Sequence, residues 1–371
     1  MSLPPPARVG DPLESVDTPA LVIDLEVLDR NIAAMQDIAD ARGVALRPHA
    51  KSHKSADIAR RQMACGAVGI CCQKISEAEL MATGGVDDIL VTNQIVGARK
   101  IGRLSRLARH VRLGVCVDDT DNLAEIAAAA RHSGAELDIY VEVEVGMGRC
   151  GVAPEKAGAL CRAAAAEEGV RFAGLQAYNG RAQHIRDHRE RGAAIARAGE
   201  AVRVVLADLE QAGLGGVRVT GAGTGSFEFE AGSGLWHELQ AGSYIFMDAD
   251  YARNLGPEGT PETTFGHSLF VLAGVLSTAP SGRVVVDAGL KALAVDSGLP
   301  LVAGPEGAAY LGASDEHGVV DPGGAALRPG DHVRLIPGHC DPTVNLHDWI
   351  VGARDGFVTD IWPVTARGAV F

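Results

Sequence analysis

The sequence predicts an α/β fold: a (β/α)8 barrel of the TIM type followed by a small β-domain. Three observations carry this. At 371 residues the chain exceeds one ordinary core and suits a barrel-sized domain plus a smaller one. Over the first two-thirds, eight β-rich runs alternate with alanine-rich helical runs, the rhythm of a parallel sheet wrapped by helices. After about residue 260 the helical periodicity fades, and short strand-like runs punctuated by Gly and Pro take over. The barrel is assigned to residues 12–258 and the β-domain to 259–371, with an extended arm, 1–11, free to join the latter.

The barrel strands are expected near 44–51 (VALRPHAK), 68–74 (VGICCQK), 88–93 (DILVTN) and 112–118 (RLGVCVD). Four more are expected near 137–145 (LDIYVEVEV), 171–178 (RFAGLQAY), 217–221 (VRVTG) and 239–246 (LQAGSYIF). Helical patterns fill the gaps, among them 55–65, 76–83, 98–110 and 120–132. Ser76 followed by Glu79 has the spacing of a capping box at a helix start. In the β-domain the runs are SLFVLAGVLS (268–277), GRVVVDAG (282–289), HVRLIPGH (332–339) and HDWIVGARDG (347–356). An open doubly wound sheet is the competing architecture.

Composition narrows the function classes. A net charge of −13, from 34 basic and 47 acidic residues, argues against a general nucleic-acid partner, whose affinity comes from neutralising phosphates. The seven cysteines are odd in number and lack zinc-finger spacing; they read as small buried hydrophobes in a reducing compartment. Met1–Pro6 shows no charged region followed by an apolar run, and no apolar stretch reaches membrane-span length. A cytoplasmic protein without a membrane partner is the expectation.

Five constellations could carry chemistry. Arg47-Pro48-His49-Ala50-Lys51-Ser52-His53-Lys54 ends the first barrel strand, on the face where barrel active sites form. A lysine there forms a Schiff base with an aldehyde if burial or a neighbouring cation lowers its pKa, and His49, His53 and Lys54 are close enough in sequence to supply such a field. The alternative is a solvated basic loop. Thr220-Gly221-Ala222-Gly223-Thr224-Gly225-Ser226 follows the seventh strand, where backbone N–H groups and the Thr224 and Ser226 hydroxyls can approach a phosphate; Gly242-Ser243-Tyr244 on the next strand is placed to close that cup, with Tyr244 alternatively packed in the core. In Gly146-Met147-Gly148-Arg149-Cys150-Gly151, Arg149 is placed to reach a pocket or to form a surface salt bridge. A guanidinium beside a pyridine nitrogen would keep that nitrogen unprotonated. In Pro337-Gly338-His339-Cys340-Asp341, an extended segment would point His339 and Asp341 the same way and Cys340 the other. One imidazole and one carboxylate suit a harder divalent ion such as Mn²⁺ or Mg²⁺ with open positions, Zn²⁺ and Co²⁺ being the alternatives, although a lone His-x-Asp is common by chance. Last, Gln176, Tyr178, Gln183 and His184 follow the sixth strand; His184 is either a general base or a surface histidine.

Taken together, these residues resemble the D-threonine aldolase and eukaryotic-type D-serine dehydratase group, fold-type III pyridoxal-phosphate (PLP) enzymes related to alanine racemase. The likeness spans almost the whole chain and is carried by RPHAKSHK, GICCQKISEAE, GMGRCGV, GAGTGS, LQAGSYIFMDADY, DAGLKA and PGHCDPTVNLHDW. It implies that Lys51 is the Schiff-base lysine, that Arg149 faces the pyridine nitrogen, and that Gly223 and Thr224 hold the phosphate. It further implies that Tyr178 and Gln183 lie near the cofactor, that His339 and Asp341 hold a divalent metal, and that the molecule is a homodimer. The dehydratases of the group carry cysteine where this chain has Asp341, so the resemblance implies C–C cleavage of D-3-hydroxy amino acids such as D-threonine rather than loss of water. Cleavage of 3-hydroxy-D-aspartate, with Arg181 or Arg47 meeting the second carboxylate, is the alternative substrate reading. A dehydratase, a racemase and a non-catalytic PLP-binding protein are the other rivals.

Overall fold

The computed structural model describes residues 4–279 and 282–371; Met1–Leu3, within the segment read for a leader, lie outside them. Eight parallel strands form one sheet: β2 (Ala45–Leu46), β3 (Ile70–Cys72), β4 (Asp88–Gln94), β5 (Arg112–Val117), β6 (Asp138–Glu142), β7 (Arg171–Ala177), β8 (Arg218–Gly221) and β9 (Glu238–Leu239). Their order is β2-β9-β8-β7-β6-β5-β4-β3. The two ends meet through a parallel bridge between His49 and Cys71, with Val68 N–H donating to Leu46 O and Cys71 N–H to Pro48 O, both at 2.8 Å. The barrel is therefore closed, and the doubly wound alternative falls away. Each of the eight anticipated runs overlaps a strand, but the first strand is short and the last run, 239–246, meets β9 only at Leu239. Chain beyond Leu46 turns through a 3-10 segment at Ala50–Ser52, and chain beyond Leu239 through another at Ser243–Ile245.

Strand alternation sorts the apolar residues into two layers. Ile70, Cys72, Ile89, Val91, Val115 and Val141 pack outward against the helices. Cys71, Leu90, Cys116 and Tyr140 form a separate cluster inside the barrel. The seven cysteines are free; Cys65 is exposed, Cys150 half-buried and the others buried, as expected of small hydrophobes. Ser76 is no helix cap. The helix Ile75–Thr83 begins before it, the Ser76 hydroxyl donates to Phe371 O at 2.5 Å, and Glu79 pairs with Arg103.

The domain boundary differs from the expected one. β1 (Ala20–Asp24) runs antiparallel to β10 (Leu269–Ser277) and parallel to β16 (Trp349–Arg354), inside the C-terminal sheet rather than the barrel. Its sequence suits that place: Leu21 and Ile23 face one core, shared with the helix Leu25–Arg42, while Ala20 and Val22 face another with Val351 and Val358. A strand apolar on both faces needs cover on both. The arm before it also joins this sheet, through Gly10 N–H to Val358 O (2.8 Å) and a bridge from Pro12 to Phe357. The assignment of 12–24 to the barrel is thus corrected. The remaining strands are β11 (Val284–Val286), β12 (Leu301–Val302), β13 (Ala309–Ala313), β14 (Gly318–Asp321), β15 (His332–Ile336) and β17 (Phe357–Pro363). They make a nine-stranded sheet with the order β13-β14-β11-β10-β1-β16-β17, in which β15 pairs β10 and β12. Among the described residues no helix is long and apolar enough to cross a membrane.

Candidate active site

The C-terminal ends of the barrel strands enclose a cavity of about 300 Å³ lined by residues from both halves of the barrel, among them Lys51, Arg149, Tyr178, Gly223, Thr224 and Tyr251. Lys51 enters from the 3-10 turn after β2. The turn is capped by His49, whose Nδ1 accepts the Lys51 N–H at 3.3 Å. His49 Nε2 then sits 3.0 Å from Thr92 Oγ1 and 3.1 Å from Gln73 Oε1. Burial, reinforced by the neighbouring Lys51 charge, depresses the His49 pKa to about 3, so its ring is neutral.

The cationic field expected around Lys51 is absent. Burial brings His53 to about 4, leaving it neutral as well, and Lys54 turns away to pair with Glu77 at 3.0 Å. Lys51 Nζ contacts instead the carboxylate of Asp341, 290 residues further along the chain. Burial works against the Lys51 ammonium, but the Asp341 charge overrides it and holds the group above its usual value. Asp341 is held correspondingly low, because Lys51 and then His339 outweigh its own burial. The β-domain thereby delivers a carboxylate to the lysine of the barrel.

His339 and Asp341 do come together, though not on a strand. His339 is extended (φ −145°, ψ 121°) and caps a short helix, Cys340–Val344, on which Asp341 lies. Ser243 Oγ and Cys340 Sγ each donate to Asp341 Oδ1 at 3.3 Å, so Cys340 touches the carboxylate rather than pointing away from it. The His339 ring is oriented by Asp296, whose Oδ2 lies 2.8 Å from Nδ1. A carboxylate only accepts, so Nδ1 donates to it and Nε2 is the nitrogen left to face a metal, the orientation that metal-binding histidines show. Among the described residues no group of three or more His, Cys, Asp or Glu could hold a metal. The pair therefore fits an open site, completed by water or substrate, rather than a closed structural one.

The glycine-rich turn after β8 fits a phosphate. Thr224 Oγ1 is buried and has no hydrogen-bond partner among the described residues, a cost that an incoming phosphate oxygen would remove. Ala222 holds a left-handed conformation (φ 71°) at the start of the turn, and a Cβ at Gly223 would strike the Gln183 amide. Gln183 is wholly buried behind this turn: its Oε1 accepts Gly225 N–H at 2.9 Å and its Nε2 donates to Ser226 Oγ at 2.7 Å. It is a support for the loop and not the expected wall residue. If Thr224 binds the phosphate, Thr224→Val weakens PLP about ten- to a hundredfold, the worth of one hydrogen bond to a charged group. Titrating the apoenzyme by absorbance measures this, and an unchanged dissociation constant removes Thr224 from the site.

Two other expected residues lie elsewhere. Tyr244 is fully buried, with its hydroxyl accepting from Gln62 Nε2 at 3.0 Å and its ring 5.5 Å from Phe265; it belongs to the core, while Gly242 and Ser243, named with it, line the cavity. His184 is half-exposed and bonded through Nδ1 to Asp250 Oδ2 at 2.6 Å, outside the cavity wall and 5.7 Å from the ring of Tyr251. Arg149 does line the cavity, with its guanidinium 5.8 Å from the centre of the Tyr178 ring. Gln176, the remaining polar residue named after the sixth strand, also lines it and exchanges amide hydrogen bonds with Gln240 at 3.0 and 2.8 Å. Gln73, Thr92, Gln240 and Tyr251 complete the wall without having been singled out in the sequence as ligands.

Comparison with known proteins shows the family. Residues 23–250 match the family described as alanine racemase, N-terminal domain, and residues 268–353 match a putative serine dehydratase domain. A D-threonine aldolase from Arthrobacter sp is 48% identical over 371 residues, covering 99% of this chain and 97% of that protein. A 3-hydroxy-D-aspartate aldolase from Paracoccus denitrificans is 47% identical over 368 residues, covering 98% of this chain and 95% of that protein. The crystal structure of D-threonine aldolase from Filomicrobium marinum superposes with a TM-score of 0.95 at 49% identity, covering 99% of this chain and 100% of that one.

Proposed function

Because the chain belongs to the aldolase branch of the alanine-racemase-fold PLP enzymes, we propose that its cavity binds PLP through Lys51 beside a divalent metal on His339 and Asp341, and that D-threonine is the substrate it cleaves. The chain is a lyase, and its reaction is retro-aldol cleavage of a D-3-hydroxy amino acid to glycine and an aldehyde. The observation that carries the residue assignment is the contact between Lys51 Nζ and the Asp341 carboxylate, which puts the expected cofactor lysine and the expected metal ligand in one place.

When bound, PLP supplies the electron sink that accepts the pair released from the Cα–Cβ bond. A divalent ion, Mn²⁺ or Mg²⁺ by the hardness of its ligands, supplies a Lewis acid for the substrate hydroxyl. Lys51 Nζ would hold the cofactor aldehyde, the Thr224 hydroxyl would donate to the phosphate, and Arg149 would face the ring nitrogen without giving up a proton. Burial raises the pKa values of Tyr178 and Tyr251, so both phenols keep their protons and act as hydrogen-bond donors. Neutral His49, tied to Thr92 and Gln73, fixes the Lys51 turn and carries no charge to the site. His184 stands outside the wall, so it is not assigned a contact with the reacting atoms.

The substrate choice rests on the arginines. Arg47 is buried and paired with Asp88 (2.5 Å) and Glu238 (3.1 Å), while Arg181 is exposed outside the cavity. Among the described residues Arg149 is the guanidinium of the cavity wall, and in the PLP-bound enzyme the ring nitrogen would occupy it. A neutral side chain at Cβ suits this pocket better than a second carboxylate. The expected result is glycine plus acetaldehyde from D-threonine, dependent on Mn²⁺ after chelation, with a higher kcat/KM than 3-hydroxy-D-aspartate. Ammonia plus 2-oxobutanoate would place the chain among the dehydratases. A higher kcat/KM for 3-hydroxy-D-aspartate would overturn the substrate choice alone. We also propose a homodimer, as the resemblance implies; sedimentation of a monomer at working concentration would refute it.

A further inference from the structure

Asp248 is wholly buried, yet its carboxylate meets two backbone N–H groups from different parts of the molecule. Oδ1 accepts the N–H of Tyr251 at 2.9 Å, and Oδ2 accepts the N–H of Cys340 at 2.9 Å. The first partner belongs to the cavity wall. The second stands between His339 and Asp341, the pair assigned to the metal. Ala249 N–H adds a parallel link to Pro337 O at 2.9 Å, and Met247 adopts a left-handed conformation (φ 50°) to present the segment. Burial pushes the Asp248 carboxyl pKa upward, while the two amide hydrogen bonds favour the charged form.

A buried carboxylate is a costly way to join two loops unless both of its oxygens are needed. Here both are needed, because both contacts are donors and a carboxylate offers acceptors on either side. An asparagine could accept one N–H only and would turn its own NH₂ toward the other. Among ordinary side chains of this length, aspartate alone holds the loop of Tyr251 and the loop of His339–Asp341 at a fixed separation.

We infer that Asp248 is a positioning residue that locks the metal-ligand loop of the β-domain against the barrel cavity and so sets the affinity of the metal site. The inference rests on the proposed roles of His339 and Asp341, and the test separates the two. PLP-loaded, chelator-stripped enzyme is titrated with Mn²⁺ while the free ion is followed by electron paramagnetic resonance. For Asp248→Asn the Mn²⁺ dissociation constant rises about ten- to a hundredfold, the usual effect of losing a group that orients a ligand. The visible absorbance of bound PLP stays unchanged, and kcat recovers toward the parent value once Mn²⁺ saturates. A purely structural role would lower the melting temperature without moving Mn²⁺ affinity, and parent-like affinity overturns the inference. If Asp248→Asn does not fold, Cys340→Pro deletes the same hydrogen bond at the first position of a helix, where proline is tolerated; parent-like Mn²⁺ affinity there overturns it equally. Asp341→Ala is the control. Should it retain Mn²⁺, the metal assignment itself fails; should it lose Mn²⁺ while Asp248→Asn does not, only the role of Asp248 fails.

Discussion

Replacing Lys51 with alanine abolishes turnover and removes the visible absorbance band that marks PLP joined to the protein. The loss is expected to reach at least about a thousandfold, the range seen when a group that bonds covalently in the reaction is deleted. The argument is positional. Lys51 projects into the cavity from the tip of the first barrel strand, on the same floor as the unpartnered Thr224 hydroxyl. His49 and His53 are neutral and Lys54 is committed to Glu77, so no neighbouring side chain of that turn can take its place. The alanine variant should keep its fold, because the turn is held by backbone and by His49 rather than by the lysine stem. A visible PLP spectrum identical to the parent's would disprove the assignment.

Replacing Asp341 with alanine cuts turnover about a thousandfold, since a Lewis acid on the substrate oxygen contributes several kcal/mol to the barrier. PLP remains attached, which distinguishes this variant from the first. Added Mn²⁺ no longer raises the rate, because His339 alone is a poor anchor for a hard divalent ion. Asp341 is engaged by Lys51, Ser243 and Cys340, so its removal disturbs a local cluster and leaves the barrel core untouched. Steady-state kinetics with and without chelation decide the matter: a variant that still responds to Mn²⁺ means the metal lies elsewhere.

Much of this was legible in the sequence, for identifiable reasons. Runs such as DILVTN and RLGVCVD carry β-branched residues between turn residues, and that local signal places β4 and β5 within a residue or two. Lys51, Arg149, Tyr178 and Thr224 sit at strand tips, which in a barrel all face one side, so position alone gathers them. Other features had no local signal. ALVID reads as a strand, but nothing within it says that its partners are 271 and 350 rather than the barrel. Ser243 and Tyr244 are adjacent, and only the 3-10 turn decides that the first lines the cavity while the second enters the core. Cys340 stays beside Asp341 because the chain curls into a helix there, where an extended segment would have separated them. Gln73, Thr92 and Gln240 are ordinary polar residues, whose meaning comes from the strands that aim them inward.

The place of β1 also bears on how the molecule is made. Leu21 leaves the ribosome about 250 residues before its partner Val271 and about 330 before its partner Ile350. At roughly 5–20 residues per second, a separation of about 250 residues leaves that strand waiting for something like 12–50 seconds. During that interval the barrel can close and bury its helices, while an apolar ribbon with two unpaired edges stays tethered to its first helix. Such a ribbon invites the wrong neighbour. Nascent chains halted between residues 258 and 340 should therefore depend on chaperones far more than the finished protein does.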